Sequence, residues 1–232
     1  MGYIYDLHVH SKELSGCSSS AVRDMVRAYK ESVYSGFVLT NHFSGRTNPL
    51  LGEVSWEEKV TAYWNAYLDG KQLADELGVD MFFGLEYGYG MAQEILLYGI
   101  DVDFLLAHPD LCDNTPEQLT ALVQNSGGFV SHAHPFRNRF YVPKDYKHMD
   151  LTCLDAIEIF NAGNMELDDA KAVIRCNELG LKITAGSDMH HCELLATTLN
   201  GGIEFPERVT TNAELVAALK SGEGKLYRHG TR

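Results

Sequence analysis

Cysteine is sparse and poorly spaced for cross-linking. Cys17, Cys112, Cys153, Cys176 and Cys192 make an odd total of 5 in 232 residues, and no two stand as Cys-x-x-Cys. This excludes a disulfide framework and points to a reducing cytoplasm. No uninterrupted apolar stretch is long enough to cross a bilayer, so no membrane association is expected. The opening residues, Met1-Gly2-Tyr3-Ile4-Tyr5-Asp6, lack a basic region followed by an apolar run, so no secretory leader is expected. Basic residues are in deficit: 19 Lys and Arg face 32 Asp and Glu, for a net charge of −13. A general nucleic-acid binder would show a basic face, which makes nucleic acid an unexpected partner. A small phosphorylated substrate stays open, because bound divalent cations reverse the local field of an acidic protein. Most of these charges need no role beyond solubility. Repeats, low-complexity segments and Pro/Gly/Ser-rich linkers are also missing. The length suits one large domain with a core that needs no disulfides.

What the chain does have is an alternation of short apolar runs and helix-period segments. Residues 4–9 read as a strand. Val22, Met25, Val26, Tyr29 and Val33 recur at helical spacing, with Gly36 as the expected stop. Further strands are predicted at 37–40, 79–85, 95–98, 129–131, 156–160 and 181–185. A long helix runs to Gly78, and another opens at Thr115-Pro116-Glu117-Gln118 and ends at Gly127-Gly128. A third, marked by Ala170, Val173 and Ile174, closes at Gly180. A fourth runs from the capping box Thr211-Asn212-Ala213-Glu214 to Lys220. About seven strand–helix units predict an α/β protein with a mainly parallel sheet, as one barrel-like domain over residues 1–232. An open doubly wound sheet is the competing architecture. Residues 137–149 are polar and irregular and read as a loop over one end.

Chemistry-bearing residues gather just past the strands. His8 and His10 stand two apart at the end of 4–9, so alternation puts both imidazoles on one side, where they can share a transition metal. Asp188 and His190 repeat that spacing in Gly186-Ser187-Asp188-Met189-His190. His191 would face away if that segment is extended. His42, Glu86, and the pair His132 and His134 follow three further strands. Any one of these reads equally well as a loop residue. Five strand ends carrying ligands do not, because parallel α/β folds build their sites there. Glu86 offers two oxygens and so can bridge two metals.

These segments, in the order His8-Val9-His10, Thr40-Asn41-His42, Gly84-Leu85-Glu86, Ala133-His134-Pro135-Phe136 and Gly186-Ser187-Asp188-Met189-His190, resemble the polymerase and histidinol phosphatase (PHP) domain family. The resemblance runs from Tyr5 to His190 and is specific as a combination. It implies a distorted, TIM-barrel-like β/α barrel of about seven strands with a trinuclear metal centre and phosphoesterase activity. It implies His8, His10, Glu86 and Asp188 at a first metal, Glu86 and His134 at a second, and His42 and His190 at a third. His134 is preferred to His132 because the family's ligand precedes Pro. Glu94 stands where the family often has a His and can ligate the same metal; the alternative is an exposed strand-end acid. The family's Asp or His after the second His is replaced by Ser15 and Gly16, which leaves Glu13 or Cys17 to complete the third site, or an inert buried Cys17. Asn41 replaces the family's usual Asp, and Asn161 is expected to orient a ligand or substrate. Arg137 and Arg139 are candidates to grip a substrate phosphate, with solvated loop cations as the alternative. His108 reads as a loop residue.

The expected activity is hydrolysis of a small phosphomonoester by a hydroxide bridging two of two or three divalent ions (Zn, Mn or Fe), with Glu86, Asp188 and His190 as the catalytic residues. Hydrolysis of a phosphodiester, lactone or amide is the first alternative, and a non-catalytic metal-bound module the second.

Overall fold

The computed structural model describes residues 2–230. Its elements, in chain order, begin with β1 (Tyr3–Val9), α1 (Val22–Lys30), β2 (Gly36–Leu39), β3 (His42–Phe43) and α2 (Trp56–Leu77). Next come β4 (Asp80–Gly90), β5 (Gln93–Tyr98), α3 (Val102–Ala107), α4 (Pro116–Asn125) and β6 (Phe129–His132). The chain continues through β7 (Ala156–Asn161), α5 (Glu166–Leu179), β8 (Lys182–Gly186), β9 (Asn200–Phe205), α6 (Asn212–Ser221) and β10 (Lys225–His229). Three of the helices open on the boxes that polar side chains build with backbone N–H groups, at Ser55, Thr115 and Thr211.

The strands form one sheet in the order β10-β9-β1-β2-β4-β5-β6-β7-β8, with β3 added beside β4. The sheet curls into a nearly closed barrel. A backbone bridge between Val9 and Met189 brings the end of β1 against the segment after β8, through His10 N–H to Met189 O at 2.8 Å and Met189 N–H to His8 O at 3.3 Å. Nine path strands replace the predicted seven. Strands β9 and β10, and the short β3, escape the periodicity. Part of the reason is that β9 opens Asn200-Gly201-Gly202 rather than on branched residues. A Cβ at Gly201 would sit 2.2 Å from the Phe160 ring, and one at Gly202 2.3 Å from the Tyr5 carbonyl oxygen. The sheet is also more mixed than predicted: β5 runs antiparallel to β4 and β6, and β9 antiparallel to β1 and β10.

Alternation sorts the side chains. One cluster joins Tyr5, Phe82, Leu96, Tyr98, Phe129 and Phe160 from strands all round the sheet, so it fills the barrel. Leu215, Val216 and Leu219 of α6 belong to the same cluster and plug one end. The other cluster includes Val26, Tyr29, Leu73, Phe83 and Val130, the contacts between the sheet's outer face and the helices. One boundary differs from the sequence reading. Helix α1 stops at Lys30, Val33 is exposed, and Gly36 opens a strand instead of closing the helix. A Cβ at Gly36 would lie 1.8 Å from the carbonyl oxygen of Asp80, so close approach of β2 to the start of β4 requires glycine there.

Candidate metal centre

The metal-type side chains meet at the barrel end opposite the α6 plug. In β1, Tyr5 and Leu7 point into the apolar filling. Between Asp6 and Val9 the pairing with β2 slips, three residues of β1 matching two of β2. The extra residue resets the alternation, so His8 and His10 also turn inward, above Leu7. Thr40 settles the irregularity, its Oγ1 accepting from Val9 N–H at 3.1 Å and its own N–H donating to Val9 O at 2.8 Å. Glu86 shares the inward face of β4 with Phe82. Glu94 shares that of β5 with Leu96 and Tyr98. Because β5 is antiparallel, its first residues lie at the same rim as the last residues of the parallel strands. Thus an acid at the start of its strand reaches the same centre.

Glu86 is the hub. Its Oε1 lies 3.0 Å from His8 Nε2 and 2.9 Å from His134 Nε2. Its Oε2 lies 2.5 Å from His42 Nδ1 and 3.5 Å from His10 Nε2. Asp188 Oδ1 faces His10 Nε2 at 3.2 Å and His8 Nε2 at 3.6 Å. Glu94 reaches His134 Nε2 at 3.4 Å and His42 Nδ1 at 3.7 Å. The His190 ring stacks on His10 at 4.2 Å.

Outer hydrogen bonds set which ring nitrogen faces inward. His8 Nδ1 pairs with Glu158 Oε1 at 2.9 Å, His10 Nδ1 with Ser15 Oγ at 3.1 Å, and His190 Nδ1 with the Asp188 carbonyl at 2.8 Å. Nε2 of His8 and of His10 are then left buried without a hydrogen-bond partner, as is Glu86 Oε2 despite its closeness to His42. Each such orphan costs about 1–3 kcal/mol in a closed protein. Groups of donors whose atoms lie within 4.8 Å of one another include His8–His10–Asp188, His42–Glu86–Glu94 and His10–His42–His190. Unpaired imidazole nitrogens and carboxylate oxygens converging in this way fit divalent cations.

The charges agree. Burial opposes ionisation of Glu86, yet His8 and His42 outweigh it and hold the carboxyl well below its usual value. Asp188 is likewise held well below, burial being overcome by His8 and Arg137. Burial disfavours charge on His8, but Asp188, Glu158 and Glu86 raise its pKa well above normal. His42 is pushed up to about 11, chiefly by Glu86 against burial. His10 is pushed well down by burial and by His42. Burial and then Glu86 raise Glu94. The site is therefore a pool of negative charge in which protons on imidazoles stand where cations would.

The expectations for Glu13 and Arg139 need correction. Glu13 is not at the centre: its carboxylate accepts from Val22 N–H at 3.1 Å, at the start of α1. His132 lies on the outer face of β6, its Nε2 bonded to Tyr89 OH at 2.7 Å and its Nδ1 to the Ala133 carbonyl at 2.9 Å. His134 reaches inward because the chain turns there with φ +26°. Arg139 is tied to the Gly163 carbonyl. Arg137 is at the site but engaged: Nη2 donates to Asp188 Oδ2 and Asn161 Oδ1, both at 2.7 Å, and Nε to Asn164 Oδ1 at 2.9 Å. It thereby fixes Asp188 with Oδ1 toward the imidazoles. Asn41 secures the loop after β1 by accepting from Ser11 N–H at 2.7 Å and Ser15 OH at 3.0 Å. Cys17 Sγ lies 3.2 Å from His42 Nε2. Burial raises its pKa, but hydrogen bonds with His190 and His42 bring it down to about 6. His108 bonds the Phe104 carbonyl at the end of α3, away from the cluster.

Two acids were missed. Glu158 holds both His8 and the His134 N–H, the latter at 2.8 Å. Asp6 accepts from Ser187 N–H at 2.9 Å, His8 N–H at 3.1 Å and Tyr29 OH at 2.6 Å, locking the Asp188 segment to β1. An acid set in an apolar strand, as in Ala156-Ile157-Glu158-Ile159-Phe160, is the signal that could have found Glu158. A cavity of about 920 Å³ opens beside the centre, with Cys17, Arg137, Tyr141, Asn164, Asp188 and His190 in its wall.

No family model matches the sequence, and no curated protein matches it. Solved structures do match. A two-domain protein from Bacteroides vulgatus containing a predicted PHP-like metal-dependent phosphoesterase aligns with TM-score 0.73 and 17% identity, over 98% of this chain and 65% of that one. PsfC from Pseudomonas syringae aligns with TM-score 0.60 and 20% identity, over 100% of this chain and 93% of that one. The lesion-specific endonuclease EndoQ of Pyrococcus furiosus aligns with TM-score 0.61 and 13% identity, over 99% of this chain and 59% of that one. The chain thus spans under two-thirds of the length of the Bacteroides and Pyrococcus proteins. Its fold is that of the PHP-like barrels.

Proposed function

We propose that the chain is a PHP-type metal-dependent phosphoesterase that hydrolyses a small phosphomonoester. The observation that carries this reading is the Glu86 carboxylate set among four imidazoles, with buried orphan donors on His8, His10 and Glu86 itself. His8, His10, Glu86 and Asp188 would hold one ion, Glu86, Glu94 and His134 a second, and His42 and His190 belong to a third. Divalent ions so held would activate water and polarise a phosphoryl oxygen. The protein's own part is orientation and charge. Glu158 and Arg137 fix the ligand atoms of His8 and Asp188. Arg137 also places a guanidinium at the cavity wall, where an incoming phosphate would meet it. His190, at the same wall, is the candidate to pass a proton to the leaving alkoxide when no third ion occupies its Nε2; with that ion held, the alkoxide would take its proton from solvent.

The net charge of −13 and a cavity holding one arginine support a small substrate over a nucleic acid. Elemental analysis should find two or three ions per chain. Turnover of p-nitrophenyl phosphate should vanish on chelation and return with Mn²⁺ or Zn²⁺. Faster turnover of bis-p-nitrophenyl phosphate or a lactone would move the reading to another bond. Absence of both metal and turnover would leave a non-catalytic module.

A further inference from the structure

The loop between β1 and α1 is stitched to every segment that carries the outer imidazoles. Ser15 Oγ donates to Asn41 Oδ1 at 3.0 Å and accepts from His42 N–H at 3.1 Å. Ser18 OH and Ser19 N–H both donate to the His190 carbonyl, at 2.7 and 3.1 Å. Cys17 lies between these anchors, so its sulfur is held over the gap between His42 and His190. Its Sγ is 3.2 Å from His42 Nε2. His42 Nδ1 is turned to Glu86, and His190 Nδ1 is bonded to the Asp188 carbonyl. Each ring therefore keeps Nε2 for another partner.

An independent observation marks the same spot as a donor site. His10, fully buried and with an unpartnered Nε2, has its ring 4.3 Å from His42 and 4.2 Å from His190. These three histidines form a donor group without help from the cysteine. Glu13, the other residue with ligand chemistry in this loop, is spent on the N-terminus of α1.

We infer that Cys17 supplies a thiolate to the ion held by His42 and His190, making this a sulfur-containing site that takes a thiophilic cation such as Zn²⁺ in preference to Mn²⁺. The inference rests on the proposed metal-dependent reading and adds the chemical character of one of its sites. Carboxylate and imidazole donors accept Mn, Fe and Zn alike, whereas thiolate favours the softer ions. The remaining clusters contain only nitrogen and oxygen donors, so the protein would hold two classes of site side by side.

The test needs no substrate. Metal-free full-length protein is titrated with Co²⁺ alone and its absorption recorded. The wild type should develop near-ultraviolet thiolate-to-cobalt charge transfer together with visible ligand-field bands. Cys17→Ser should lose the charge transfer and, after dialysis with Zn²⁺, one equivalent of bound zinc. Cys17→Asp should regain the equivalent without the sulfur band. A sulfur band that persists in Cys17→Ser would assign it to another cysteine and overturn the inference. So would ligand-field bands with no sulfur band in the wild type, a result that leaves the phosphoesterase reading intact. No cobalt binding of any kind would overturn both.

Discussion

Glu158 accepts from the His134 N–H and pairs with His8 Nδ1, so its substitution tests orientation of the imidazoles rather than their presence. Glu158→Gln keeps size and burial but weakens its hold on His8 Nδ1 and the His134 N–H. Metal affinity should fall about 10- to 100-fold, the usual effect of losing an outer partner of a ligating histidine, while the fold persists. Competitive titration with a metal indicator checks this, and unchanged affinity would remove Glu158 from the design of the centre. Glu86→Ala should go further and abolish both metal loading and turnover, as read by elemental analysis and p-nitrophenyl phosphate assay. A different residue gives the pH dependence. Lys59 is fully buried, donates to the Gly45 carbonyl at 2.7 Å and sits 3.6 Å above the Phe43 ring centre. Burial lowers its pKa from 10.5 to about 8. Between those values the unfolded chain carries a proton that the native state has shed, so the contribution of Lys59 to stability rises as pH climbs from about 8 to 10.5. Below that window the cost of the buried charge is fully present. Chemical denaturation of the wild type and Lys59→Met across the range should show the wild type gaining stability relative to the variant as pH rises.

Among the elements, the β4–β5 hairpin turns through Met91 and Ala92, both with positive φ, 54° and 53°. Tight hairpins of this kind favour Asn-Gly, because other side chains resist that conformation. Met91→Asn with Ala92→Gly should stabilise the protein by about 1 kcal/mol, measured by urea denaturation. The same hairpin shows how far sequence reasoning reached. Apolar runs located β1, β2 and β4 through β8, and the capping boxes at Thr115 and Thr211 marked the starts of α4 and α6. The ends of strands were enough to bring His8, His10, His42, Glu86 and Asp188 together, while the family resemblance chose His134 over His132. What escaped is the pairing behind two residues already named as candidates: the antiparallel direction of β5, which puts Glu94 at the rim, and the extra residue in β1, which turns His8 inward. Strand β9 escaped because Gly201 and Gly202 answer to Phe160 and Tyr5, residues distant in the chain. His132 and His134 are two apart, yet the turn at Ala133-His134 breaks the alternation that would have put them on the same face.

For the whole molecule, the centre concentrates Glu86, Asp188, Glu158 and Glu94 against the guanidinium of Arg137. Cations bound only by the folded state would stabilise it by mass action, by about 2.7 kcal/mol at a concentration 100-fold above Kd. For a domain of this size that is a rise in Tm of about 5–10 °C. Calorimetry with Zn²⁺ or Mn²⁺ and with chelator should show a midpoint that rises with metal concentration. A midpoint indifferent to both would mean that the centre does not draw on metals for stability.

The bridge from Val9 to Met189 also orders events in time. His8 and His10 leave the ribosome about 180 residues before Asp188 and His190. At synthesis rates of about 5–20 residues per second, the first pair waits on the order of ten seconds or more for its partners. Until then β1 also lacks β9 along one edge. Full coordination therefore becomes available only when the two ends of the barrel wall have met, and metal capture during refolding would report on closure of the barrel itself.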